Sequence, residues 1–122
     1  KFTKTLKSVK LQDIDFFTEW LIVDGSNKNK IERNKALIKN NFSSEQKILI
    51  KNINSNLKNI KGIYPCMNYG KEIATGKFII FLNSGDTFYS KNSLEIFFNK
   101  SSKVNINSSL IKNLLKYLNF IN

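Results

Sequence analysis

Lys77-Phe78-Ile79-Ile80-Phe81-Leu82-Asn83-Ser84-Gly85-Asp86-Thr87 is the stretch that decides the fold. A continuous apolar run, rich in β-branched and aromatic side chains, stops at small polar residues and a carboxylate. This is the pattern of a strand covered on both faces that delivers an acid to a loop. The same shape occurs earlier, where Trp20-Leu21-Ile22-Val23 stops at Asp24-Gly25-Ser26. Lys47-Ile48-Leu49-Ile50-Lys51 reads as a further short strand.

Helical patterns separate these runs. Phe2, Leu6 and Val9 recur at helical spacing with Lys4, Lys7 and Lys10 between them, and Gln12-Asp13-Ile14-Asp15 ends that helix. Residues 27 to 40 form a polar helix capped by Ser26 or Asn27, with Ile31, Ala36, Leu37 and Ile38 as a weak apolar face. Residues 52 to 61 read as a polar loop. Gly62-Ile63-Tyr64-Pro65 opens a helix with Met67, Ile73 and Ala74 inward and Gly76 as a left-handed terminator. Asn92-Ser93-Leu94-Glu95 has capping-box spacing ahead of Leu94, Phe97 and Phe98. Ser101 to Ser109 is a polar break, and Leu110, Leu114, Leu118 and Ile121 mark a last helix. Alternation of this kind predicts an α/β fold, a mostly parallel sheet with helices on both faces. A helix is an unusual start for such a sheet. The chain begins at Lys1 with its only methionine at Met67, so it reads as part of something longer whose first strand is missing.

The 122 residues are enough for one small domain, with 41% hydrophobic residues for a core. One cysteine, Cys66, excludes an internal disulfide and reads as an ordinary buried thiol. The absence of histidine removes the commonest general base and metal ligand, so any metal must take oxygen ligands, as Mg²⁺, Mn²⁺ or Ca²⁺ do. No apolar run is long enough to span a membrane, and the chain reads as soluble. The net charge of +11 comes from lysines scattered among asparagines, with Arg33 the only arginine. Compositional bias accounts for that pattern better than a specific nucleic-acid surface, which would cluster its basic residues. A basic, non-catalytic module that binds a polyanion is the alternative.

Parallel strands bring their carboxyl ends to one edge of the sheet, so Asp24 and Asp86 are placed to face one cleft. A hard divalent cation held by one or two carboxylates and by phosphate oxygens is an economical way to bind a nucleotide diphosphate. Asp24-Gly25 and Ser84-Gly85-Asp86 are also ordinary turn sequences, and each taken alone needs no further role.

Taken in order, Trp20 to Ser26, Gly62 to Gly70 and Ala74 to Phe88 resemble glycosyltransferase family 2, in its bacterial exopolysaccharide and lipopolysaccharide branch. The resemblance covers residues 1–98 of a single partial domain, with 99–122 as a helical extension. It implies a GT-A fold, whose Rossmann-like half binds a nucleotide-diphospho-sugar with Mg²⁺ or Mn²⁺. It places Asp24 on the nucleotide base, Asn83 and Ser84 on the nucleotide, Asn68 beside the diphosphate and Asp86 on the metal. The implied reaction is inverting, metal-assisted glycosyl transfer to a sugar or lipid-linked sugar acceptor, in the cytoplasm or at the inner face of the membrane. The chain departs from the family in lacking the first strand, the second acid after Asp24, and any segment matching the general base, so donor binding is the part of the reaction expected of it. Self-association through the exposed sheet edge, or an inactive remnant, is the corresponding expectation for a truncated copy.

Overall fold

In the computed structural model, which describes residues 1–16, 18–44 and 47–103, Trp20 to Val23 form the middle of strand β1 (Thr18–Asp24). β1 pairs in parallel with β2 (Ile48–Asn54), Thr18 standing opposite Ile48 and Asp24 opposite Asn54. A parallel pair needs a crossover, and α2 (Lys28–Asn41) supplies it. The side chain of Asn27 caps α2 by accepting from Lys30 N–H at 3.0 Å. Ile31 is fully buried and Leu37 and Ile38 half-buried, but Ala36 is exposed; Asn34 takes the place expected of it on the inward face.

Side chains alternate along β1, so its two faces meet different helices. Trp20 points to α1 (Phe2–Lys10) and α2: its ring stacks on Phe2 at 6.3 Å and meets Phe42 at 5.9 Å. Val23 points to α3 (Ile63–Ile73), where a Cβ added at Gly70 would lie 3.8 Å from Val23 Cγ2. α4 (Ser93–Lys103) lays Phe98 on Phe16 at 4.4 Å and the edge of Phe97 on Phe78 at 6.3 Å. Among the described residues the molecule is thus a small α/β domain with four helices and a two-stranded parallel sheet.

Four expectations are corrected. Residues 78 to 83 form no strand, Phe78 lying in a bend and the run after it having no regular structure, because a strand exists only by pairing and no described strand pairs with this run. β2 continues to Asn54, so the loop expected from Asn52 is shorter. α3 ends with Ala74 in an extended conformation (φ −67°, ψ 136°), and Gly76 is not among the residues with positive φ. α4 runs on to Lys103, through the start of the expected polar break. The helix expected over Leu110 to Ile121 lies outside the described residues.

The buried apolar side chains among the described residues are Leu6 and Val9 on α1 and Ile31 on α2. Cys66 is half-buried. No helix among the described residues is long and apolar enough to cross a membrane.

Candidate functional site

Asp24 ends β1 with 7% of its surface exposed. Its Oδ1 accepts from Ser26 N–H at 2.9 Å and its Oδ2 from Asn34 Nδ2 at 2.8 Å. Burial alone would raise its pKa, but the hydrogen bonds from Asn34 and Ser26 prevail and hold the carboxyl below its ordinary value. Asp24 therefore carries a fixed negative charge at neutral pH, at the carboxyl end of a parallel strand.

That charge borders a cavity of about 710 Å³. The far wall is Leu82 and Ser84, and the rim carries Lys1, Lys30 and Arg33, with Asn34 beside the carboxylate. Three cations around one acid leave the cavity net positive. Lys30, Arg33, Asn34 and Leu37 share one side of α2 by helical spacing, but in so polar a helix that spacing gave no sign that this side faces a cavity. The place of Lys1 beside them depends on tertiary packing and had no signal in the sequence.

Asp86 is held by its own turn. Its N–H donates to Asn83 C=O at 2.9 Å, and its Oδ2 accepts from Asn83 N–H at 2.8 Å. Gly85 sits in this turn at φ +113°, a conformation that side chains oppose. α1 stitches the turn and the following loop into place. Thr5 Oγ1 accepts from Gly85 N–H at 2.8 Å, Ser8 Oγ accepts from Phe88 N–H at 2.6 Å, and Gln12 Nε2 donates to Ser90 C=O at 2.8 Å while its Oε1 accepts from Leu94 N–H at 3.0 Å. Thr5 and Ser8 form a polar stripe beside the Leu6 and Val9 stripe that carries α1 onto the core, and Gln12, just past the cap Leu11, continues it.

Of the five expected site residues, Asp24 and Ser84 share the 710 Å³ cavity. Asn83 lines a second, more apolar cavity of about 600 Å³ between β1 and residues 74 to 84, which Ser84 also reaches. Asp86 and Asn68 line neither, and Asn68 is exposed on α3. Among the described residues no group of three or more His, Cys, Asp or Glu side chains converges as a metal site. The oxygen donors near the turn are Asp86, through the oxygen not engaged by Asn83, and Asn83 itself, a set that suits a hard cation only when phosphate oxygens complete the shell. Comparison with protein-family models, with curated proteins and with solved structures finds no match for this chain.

Proposed function

We propose that the chain binds the nucleotide diphosphate of an activated sugar, as the donor-binding half of a metal-assisted, inverting glycosyltransferase of the family 2 type. One observation carries the reading: a buried, ionised carboxylate at a strand end shares a cavity with Lys1, Lys30, Arg33 and Ser84. Asp24 has lone pairs beyond the two it gives to Ser26 and Asn34, and offers them to an N–H of the base. The three cations attract the diphosphate, and Ser84 reaches the ribose and phosphate from the opposite wall, with Asn83 next to it on the neighbouring cavity. Asp86 would hold Mg²⁺ or Mn²⁺ together with phosphate oxygens, and that ion would neutralise charge on the departing diphosphate. Asn68, exposed and outside the cavity, makes no donor contact in this reading. The transferred sugar would pass to a sugar or lipid-linked acceptor at the cytoplasmic face of a membrane.

Titration calorimetry with UDP and with GDP, in Mn²⁺ and in EDTA, tests the proposal. Binding of one of them is expected, stronger with Mn²⁺. Asp86→Asn should abolish the Mn²⁺ dependence, and Asp24→Ala should weaken binding about tenfold, about 1.4 kcal/mol. No heat with either nucleotide, or heat indifferent to Mn²⁺ and to both substitutions, overturns it. Affinity for nucleic acid that falls steeply with salt would favour the basic module instead.

A further inference from the structure

Asp24 shares its cavity with the side chain that holds it. Asn34, half-buried on α2, lines the same 710 Å³ cavity and gives a hydrogen from Nδ2 to Asp24 Oδ2 at 2.8 Å. An ionised carboxylate can only accept hydrogen bonds, so the Asn34 amide meets Asp24 through its nitrogen and never through its oxygen. That fixes which way the amide stands. An amide nitrogen carries two hydrogens, and Asp24 takes one of them, which leaves the other for a ligand in the cavity.

The carboxylate keeps lone pairs of its own beyond those given to Ser26 N–H and Asn34. Together the two side chains therefore present an acceptor next to a donor, and a flat ligand satisfies both when it offers a donor next to an acceptor. Uracil and guanine have that edge, a ring N–H beside a ring carbonyl. Cytosine and adenine have the reverse, a bare ring nitrogen beside an amino group. Their ring nitrogen would bring a lone pair to the carboxylate and leave a buried charge unpaired. Lys1, Lys30 and Arg33 make no such distinction, since they attract the diphosphate of any nucleotide, and Trp20, Leu37 and Leu82 offer apolar surface to any base.

We infer that Asn34 is a specificity-determining residue: paired with Asp24, it selects nucleotides whose base presents an N–H beside a carbonyl, uracil or guanine, over those of cytosine and adenine. This rests on nucleotide binding in the same cavity and adds to it the class of base and a second side chain that reads it.

Titration calorimetry of the full chain with UDP, CDP, GDP and ADP in Mn²⁺ reads the selection. UDP should bind about a hundredfold tighter than CDP, or GDP about a hundredfold tighter than ADP, because two hydrogen bonds are reversed within each pair. The share of Asn34 is read with the thiocarbonyl analogue of the nucleotide that binds, 4-thio-UDP or 6-thio-GDP, since sulfur is a weak acceptor. The unaltered chain should bind the analogue about fivefold more weakly than its parent, and Asn34→Leu, which has no donor, should bind the two alike. A side chain that merely steadied Asp24 would leave the fivefold difference in place in Asn34→Leu, and that result overturns the proposal. Equal affinity within each pair of nucleotides overturns it too, as does equal affinity for parent and analogue in the unaltered chain, and neither of these needs a variant that folds. No heat with any of the four nucleotides overturns nucleotide binding itself and this selection with it, whereas binding without preference overturns the selection alone.

Discussion

Glu19 and Asp24 show how single carboxylates tie this structure together. Glu19, whose side chain is 8% exposed, accepts from Lys51 Nζ at 2.6 Å and from Thr75 N–H at 3.2 Å, joining β1 to β2 and to the end of α3. The Lys51 hydrogen bond is the largest reason its pKa lies below the ordinary 4.5, and Asp24 is lowered as well. A carboxyl lowered in the folded state gives stability that is complete above the unfolded-state value and is lost as pH falls through the folded one. Denaturant midpoints should therefore hold from neutrality down to about pH 4.5 and fall below it, and Glu19→Gln should flatten that fall. Asp24 was legible as an acid at a strand end because the apolar run before it is so abrupt. Its partner Asn34 was not, since an asparagine in a polar helix gives no sign of facing inward.

Among the elements, α1 is the one whose sequence said only half of what it does. Its apolar stripe predicted the helix and its buried face, and both are found. Its Thr5 and Ser8, and Gln12 just past its end, carried no reading of their own, yet Thr5 and Gln12 are 3% and 8% exposed and hold the backbone from Asn83 to Leu94. Hydrogen bonds to backbone groups leave no periodic pattern in the partner, so this clamp had no sequence signature. Gln12→Leu removes the acceptor for Leu94 N–H at the start of α4 and the donor to Ser90 C=O, at a cost of about 1–3 kcal/mol. Exchange of the first α4 amides should quicken while that of β1 and β2 stays unchanged. The run from Lys77 to Leu82 shows the reverse case. Its composition pointed to a strand, and the run forms none, because pairing is a property of two segments and beyond what one segment can state.

For the molecule as a whole, the alternation of strand and helix was enough to establish the α/β class and the parallel sheet, because a parallel pair needs a helical crossover and the chain supplies one in α2. The number of strands was not legible, since it depends on which edges meet. The cavity that joins Lys1 to Asp24 and Ser84 was not legible either, because it brings together residues far apart in the sequence. That long-range closure has a kinetic side. The β1, α2 and β2 unit is local, whereas the hydrogen bonds of Thr5, Ser8 and Gln12 to the loop join residues 78 to 82 positions apart. Contacts so distant in sequence cost loop entropy before they return stability, so the local unit should form first and the clamp close after the folding barrier. Thr5→Val, nearly isosteric, should raise the unfolding rate about fivefold for about 1 kcal/mol lost and leave the refolding rate unchanged in stopped-flow experiments. The polar stripe of α1 is thus a latch, and it sets how long the assembled molecule stays closed more than how fast it is made.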